Sequence, residues 1–155
     1  MKIKRLNDMK EIERKWIIKN IPKNIKYLSI VEIEQGYIYD GVRIRKIVSM
    51  NGDLVKYNLC IKKGKGLVRD EIEINIDENE YYKFENIVEK EIQKTRKCVS
   101  HDKYIIEIDL IHGRDLILAE IEFKSEEEAN KFIAPEWFDK DVTGISEFSN
   151  YNLAK

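Results

Sequence analysis

Apolar and charged residues alternate with period two along most of this chain, and the charges come in like-signed doublets: Arg43/Arg45, Lys94/Arg96, Glu107/Asp109 and Glu120/Glu122. Residues two apart in a strand share a face, so this pattern demands strands with one charged and one apolar side. The stretches that carry it are Glu11 to Ile18, Ile30 to Tyr39, Val42 to Ile47, Val55 to Lys62, Leu67 to Ile76, Lys94 to Cys98, Tyr104 to Ile111 and Leu116 to Phe123. Asn51-Gly52 and the Gly64/Gly66 segment fall between such runs, as hairpin turns do. The period changes between Asp77 and Glu91, where Tyr81, Phe84, Ile87 and Val88 follow a helical stripe behind Asp77 as N-cap. Ser125 with Glu128 has the spacing of a capping box, which predicts a second, short helix through Phe132. The expectation is a mainly β (α+β) domain of about eight antiparallel strands with a few peripheral helices, a sheet or barrel.

Length and composition exclude several classes. A chain of 155 residues predicts one domain with a real core. With 43% hydrophobic residues and a net charge of −1 it is no disordered polyelectrolyte. Its 28 Lys+Arg balance 29 Asp+Glu, which argues against a generic binder of nucleic acid or membrane surfaces. Two cysteines, Cys60 and Cys98, are too few for a disulfide scaffold. The first ten residues are too charged for a signal peptide, and no apolar run of about 18 residues occurs. A cytoplasmic protein is expected, with no membrane or nucleic-acid partner.

Strand parity then sorts the charges. Glu11, Glu13 and Lys15 share a face, as do Arg43 and Arg45, Arg69 with Glu71 and Glu73, Lys94 with Arg96, Glu107 with Asp109, and Glu120 with Glu122; Lys62 joins them. The other parity holds Ile12, Trp16, Val42, Ile44, Ile61, Ile72, Ile74, Ile106, Ile108, Ala119 and Ile121. A wet face of an antiparallel sheet would explain any single doublet. Taken together they resist that explanation, because like charges at i and i+2 repel and help no fold. If the sheet closes with this face inward, seven cations meet eight carboxylates in one lumen. Unpaired buried charges cost several kcal/mol each, so such a lumen calls for a polyanion held by Arg and Lys. Clustered carboxylates are hard oxygen ligands suited to Mg²⁺ or Mn²⁺.

Glu11-Ile12-Glu13-Arg14-Lys15-Trp16 resembles the ExExK signature of the CYTH domain, the triphosphate tunnel metalloenzyme family. Further motifs occur in the family's order: Gln35-Gly36-Tyr37, Arg43-x-Arg45, Ile61-Lys62, Arg69-x-Glu71-x-Glu73, Lys94-Thr95-Arg96, Glu107-x-Asp109, Ala119-Glu120-Ile121-Glu122, Val142-Thr143 and the terminal Asn150-Tyr151-Asn152-Leu153-Ala154. The likeness runs from Met9 to the C-terminus, leaving residues 1–8 as an N-terminal extension to a domain at 9–155. It is greatest to the small bacterial inorganic tripolyphosphatases.

The resemblance implies an eight-stranded antiparallel closed barrel, a tunnel with a charged lumen. It also implies metal-dependent hydrolysis of a triphosphate, with inorganic tripolyphosphate as the first candidate. Nucleoside or thiamine triphosphatase, class IV-type adenylyl cyclase and a non-catalytic polyphosphate-binding module remain alternatives. Metal ligands by resemblance are Glu11, Glu13, Glu107, Asp109, Glu120 and Glu122, for Mg²⁺ or Mn²⁺. Lys15, Arg43, Arg45, Lys62, Arg69, Lys94 and Arg96 would grip the substrate, with Tyr37 as proton acceptor and Lys94 beside it as a catalytic group. A metal-bound water is the rival source of the nucleophile. The expected partner is a triphosphate-containing small molecule, and the expected assembly a monomer or homodimer. Gly41 stands where relatives often have Glu, and Lys63 and Lys65 replace small residues in the glycine turn. Gly64-Lys65-Gly66 lacks P-loop spacing, His101 and His112 match no zinc pattern, and Cys60 and Cys98 fit packing better than nucleophilic roles.

Overall fold

A computed structural model describes residues 10–155; the expected extension at 1–8 lies outside the described residues. Nine strands form one antiparallel sheet: β1 (Lys10–Ile18), β2 (Tyr27–Tyr39), β3 (Val42–Ser49), β4 (Val55–Lys63), β5 (Val68–Ile76), β6 (Lys90–His101), β7 (Tyr104–Ile111), β8 (Ile117–Glu122) and β9 (Phe138–Asp141). Their order is β5-β4-β3-β2-β6-β7-β8-β1-β9, and β5 also pairs with β1, so the first eight close into a barrel. β1 makes the closure by dividing its length. Its start lies on β5, with Glu11 opposite Arg69. From Glu13 onward it runs along β8, Lys15 opposite Glu120. Past the point where β5 departs, β9 occupies the freed edge at Trp16 and Ile18.

The apolar parity faces outward and is covered on one side. Trp16, Ile106, Ile108, Ala119 and Ile121 are buried with Ala129 and Phe138. The short helix α2 (Glu126–Lys131), capped by Ser125, brings this cover. Trp16 sits between Phe132 and Phe138, at 5.7 and 5.0 Å. Burial of side chains this size stabilises by about 1.5–3 kcal/mol each. On β4 and β5 the same parity is uncovered: Ile61, Ile72 and Ile74 are exposed.

Inside, one end of the barrel is apolar. Ile92, Ile111 and Leu118 turn inward with Tyr37, and Val142, Leu153 and Ala154 seat against them. Leu153 belongs to α3 (Asn150–Leu153), whose N-cap is Ser149. Backbone bonds between Lys155 and Glu91 fasten the C-terminus to β6.

Five elements depart from expectation. Helix α1 (Glu78–Glu85) has the expected Asp77 capping box but stops well before Glu91. Val88 is needed elsewhere, because it packs on Gly36, where a Cβ would stand 2.7 Å from its Cγ2. The strand β2 begins at Tyr27 rather than Ile30, and β6 at Lys90 rather than Lys94. β9 and α3 were not expected, since four residues, three of them charged, carry no readable period. No helix among the described residues is long and apolar enough to cross a membrane.

Candidate active site in the barrel lumen

A chamber of about 210 Å³ opens between the β2–β3 turn, the glycine turn at 64–66 and the C-terminal segment. Its walls carry Lys15, Arg43, Lys62 and Arg69, facing Glu13 and Glu120. Strand pairing explains the grouping: β1 lies between β5 and β8, so its ExExK residues meet the cations of one neighbour and the glutamates of the other. Lys62 Nζ donates to both Glu11 oxygens at 2.8 Å and lies 3.2 Å from Glu71. Arg69 Nη2 donates to Glu11 at 3.1 Å and lies 3.8 Å from Glu13. Lys15 Nζ is 3.3 Å from Glu120 Oε1.

Next to the chamber, away from its surface, lies a dry layer of paired charge. Lys94, 0% exposed, donates to Asp109 at 2.6 Å. Arg96 forks onto the same carboxylate at 2.7 and 2.8 Å and also donates to Glu107. Such bidentate pairs are the strong form of charged hydrogen bond. Arg45 donates to Gln35 at 2.7 Å, and Gln35 donates to Tyr37 Oη at 2.6 Å, linking the layer to a chamber wall.

The titration tendencies follow this division. Burial, then Glu120 and Glu11, push the Glu13 carboxyl up to about 8. Burial acts the same way on Glu11, but its hydrogen bond with Glu71 and the Lys62 and Arg69 charges bring it down to about 2. Glu71 is pushed up to about 6 by burial and by that shared bond. Glu120, despite burial, is held well below the usual carboxylate range by Lys15, Lys94 and Arg96. Burial brings Lys94 down to about 8 even with Asp109 beside it.

Over 153 aligned residues the chain is 33% identical to the inorganic triphosphatase of Nitrosomonas europaea, covering 94% of this chain and 97% of that protein. It is 31% identical to the inorganic triphosphatase of Acetivibrio thermocellus over 160 residues, 94% of each. The chain belongs to the inorganic triphosphatase family. The crystal structure of the inorganic triphosphatase NE1496 superposes with a TM-score of 0.62 at 29% identity, over 93% of both chains. PH1012 from Pyrococcus horikoshii shares the fold, with a TM-score of 0.57 at 18% identity over 83% of this chain and 94% of that one. No family model matches the chain. The CYTH resemblance and the closed eight-stranded barrel agree with these relatives.

Within this family fold, the residues singled out from sequence fall into three places. Glu13, Glu120, Lys15, Arg43, Lys62, Arg69 and Tyr37 line the chamber, and Glu11 is bonded to its Lys62 and Arg69. Arg45, Lys94, Arg96 and Asp109 belong to the dry layer instead, with Glu107 at its margin. Glu107 and Glu122 border a separate hollow beside the β6–β7 turn. Gly41 has φ +82°, and a Cβ there would lie 2.4 Å from the Lys62 carbonyl oxygen. A glutamate at that position therefore does not fit this turn. Cys60, which is buried, offers its sulfur within 4.8 Å of carboxylate oxygens of Glu71 and Glu73. Sequence reasoning gave no site role to Lys65, Thr143 or Asn150, which also line the chamber. They come from turns and a short helix, where strand parity says nothing.

Among the described residues, four buried side-chain polar atoms have no hydrogen-bond partner, and three of them belong to chamber residues: Arg43 Nε, Glu120 Oε1 and Asn150 Oδ1. Each unsatisfied buried group costs about 1–3 kcal/mol, a cost that the Lys15 charge 3.3 Å from Glu120 Oε1 reduces there.

Proposed function

We propose that this chain hydrolyses the terminal phosphate of a triphosphate, converting inorganic tripolyphosphate to pyrophosphate and orthophosphate with Mg²⁺ or Mn²⁺. One observation carries the reading: a single chamber gathers four cations, Lys15, Arg43, Lys62 and Arg69, against the carboxylates of Glu13 and Glu120, and leaves the buried Arg43 Nε without a hydrogen bond. An anion pairs with the cations and a divalent cation with the carboxylates. A polyphosphate with its divalent metal brings both. The size supports an inorganic substrate, since about 210 Å³ is below the roughly 300–1,000 Å³ of sites for drug-sized ligands.

Glu13 and Glu120, with Glu11 next to them, are the residues that would hold the metal. Their oxygens are hard donors, and a divalent cation offsets both the burial and the Glu120 and Glu11 repulsion that together push Glu13 to about 8. When bound, the metal supplies neutralisation of phosphate-oxygen charge. Lys15, Arg43, Lys62 and Arg69 bind the phosphate oxygens, and in doing so Lys62 and Arg69 exchange part of their pairing with Glu11 for the substrate. Arg45, Lys94 and Arg96 stand behind this first set, and a phosphate reaches them only by displacing Gln35 or Asp109.

In the reaction, water oxygen bonds to the terminal phosphorus while the bond to the bridging oxygen breaks, its electron pair leaving on pyrophosphate. The displaced water proton ends on orthophosphate. Positioning and charge neutralisation supply most of the acceleration in such transfers. The Tyr37 hydroxyl lines the chamber and accepts a hydrogen bond from Gln35 Nε2 at 2.6 Å. A role for it as proton acceptor predicts a lowered kcat in Tyr37→Phe.

The deciding experiment measures phosphate release from tripolyphosphate, pyrophosphate, ATP and thiamine triphosphate with Mg²⁺, with Mn²⁺ and with EDTA. Tripolyphosphate turnover that EDTA abolishes is expected. No release from tripolyphosphate under any condition, with turnover of another substrate, overturns the assignment.

A further inference from the structure

Lys65 lines the chamber but belongs to no strand. It sits in the turn between β4 and β5, and both ends of that turn are tied down. The Lys62 amide donates to the Gly41 carbonyl at 2.7 Å, and the Glu13 amide donates to the Leu67 carbonyl at 3.0 Å. Gly64 and Gly66 flank the lysine, and Gly66 lies so close to Gly144 that a Cβ there would stand 2.9 Å from the Gly66 Cα. The turn therefore meets the C-terminal segment at the rim of the chamber, and Lys65, which is exposed, stands at its mouth.

Its charge is placed differently from those deeper in. Lys15, Lys62 and Arg69 each meet a carboxylate within 3.3 Å. Lys65 has no ion pair or hydrogen bond among the described residues. A phosphate that reaches the inner cations exchanges part of their pairing, whereas Lys65 gives up only water. Its neighbour Lys63 lies opposite Asp70 on β5 and is not part of the chamber wall.

An organic group on a triphosphate has one place to go. The chamber holds about 210 Å³, and the end of the barrel at Ile92, Ile111 and Leu118 is filled by Val142, Leu153 and Ala154. A nucleoside or thiamine group stays at the mouth, and the phosphate beside it is the one that Lys65 meets. In the inorganic compound that phosphate is an unesterified end with two ionisable oxygens. Esterified, it keeps one. One further unit charge at about 4 Å from an ammonium in an aqueous setting changes affinity roughly fivefold. We propose that Lys65 is a specificity-determining residue that holds the phosphate at the chamber mouth and favours an unesterified end over one carrying an organic group, an inference that rests on the triphosphatase reading of the chamber.

The test compares wild type with Lys65→Gln, Lys65→Arg and Lys63→Gln at pH 8 with Mg²⁺. It follows tripolyphosphate hydrolysis and the calorimetric binding of imidotriphosphate and adenylyl imidodiphosphate, two non-hydrolysable compounds that differ in esterification of one end. Lys65→Gln is expected to weaken imidotriphosphate by about tenfold and the adenylyl compound by about twofold. The tripolyphosphate KM should rise with the first figure while kcat stays near wild type, and the loss should shrink as KCl is raised from about 50 to 300 mM. Lys65→Arg keeps the charge and the selectivity, and Lys63→Gln leaves both affinities unchanged. Equal weakening of the two compounds makes Lys65 a general phosphate contact and overturns the specificity role. So does a Lys65→Gln protein that binds imidotriphosphate like wild type, an equal effect of Lys63→Gln, or a wild type that does not bind the adenylyl compound at all, because exclusion is then steric. Wild type that binds imidotriphosphate but releases no phosphate from tripolyphosphate sinks the hydrolase reading instead, and the two affinities still decide what Lys65 does.

Discussion

The open chamber and the dry layer next to it use the same residue types at the same strand spacing, and they differ in how completely their charges are paired. Arg43 and Arg45 are two residues apart on β3. The first has an unbonded Nε in the chamber, while the second is satisfied by Gln35. Lys94 and Arg96 share Asp109 so fully that the lysine is sealed from solvent. In the chamber, by contrast, Glu13 is pushed up toward 8, and Glu120 Oε1 makes no hydrogen bond and has only the Lys15 ammonium at 3.3 Å. A buried charge with a full complement of partners holds a structure in one arrangement. One without them stores a cost that only a ligand removes. Completeness of pairing, more than the presence of charge, therefore separates the part of the lumen that binds from the part that supports it.

The largest expected effect breaks the layer. Asp109→Asn leaves Lys94 and Arg96 without their common carboxylate in a dry site, and removal of one partner from a buried ion pair costs about 3–5 kcal/mol. The urea midpoint should fall accordingly, and lost activity should follow the unfolded fraction. A variant with unchanged midpoint and lost turnover would place Asp109 in direct contact with metal or substrate. Next is Arg43→Ala in the chamber, which removes a guanidinium whose Nε has no partner to lose. Here kcat/KM is expected to fall about 10²–10³-fold, as for a deleted transition-state donor, with the urea midpoint nearly unchanged. If Arg43→Ala unfolds the protein as Asp109→Asn does, the two halves of the lumen do not differ in the way their pairing indicates.

Strand parity carried most of the fold because the lumen charges keep period two along most barrel strands, β2 excepted, where Glu32 and Glu34 fall on the other face from Gln35. That the charged face turns inward came from the family resemblance, since closure alone allows either face inside. The division of that face into chamber and layer was not legible. Arg43-x-Arg45 and Lys94-x-Arg96 are the same kind of doublet in sequence, and only barrel stagger decides that Asp109 lies between Lys94 and Arg96 while Arg43 opens on a cavity. The helical stripe after Asp77 misled at its end, because Ile87 and Val88 are apolar for a different reason: Val88 fills the space over Gly36. The terminal Asn150-Tyr151-Asn152-Leu153-Ala154 stood out only through the family resemblance, since a four-residue helix leaves no periodic trace.

A smaller effect distinguishes the two regions by pH in the metal-free protein. Glu13 has a folded pKa near 8, above its ordinary 4.5. The folded state therefore holds a proton that the unfolded chain has released, and the Glu13 contribution to stability is present below pH 4.5 and lost as pH rises to 8. Lys94 acts in the next window. Its folded pKa near 8 lies below the ordinary 10.5, so above pH 8 the unfolded chain binds more protons and stability rises with pH toward 10.5. Together they predict a dip in metal-free stability near pH 8, followed in urea melts across pH 5 to 10 with EDTA. Glu13→Gln should remove the falling limb above pH 6, leaving the part that Glu71 contributes below it, and stabilise the metal-free protein at pH 8 by about 2 kcal/mol, less than the full pKa difference because the Lys15 cation relaxes toward the ionised carboxylate. The same variant should lose turnover, because the carboxylate that weakens the empty chamber is one of those proposed to hold the metal. A Glu13→Gln protein no more stable than wild type at pH 8 would mean that the chamber carboxylates already satisfy one another, and that the empty site is not strained by its own charge.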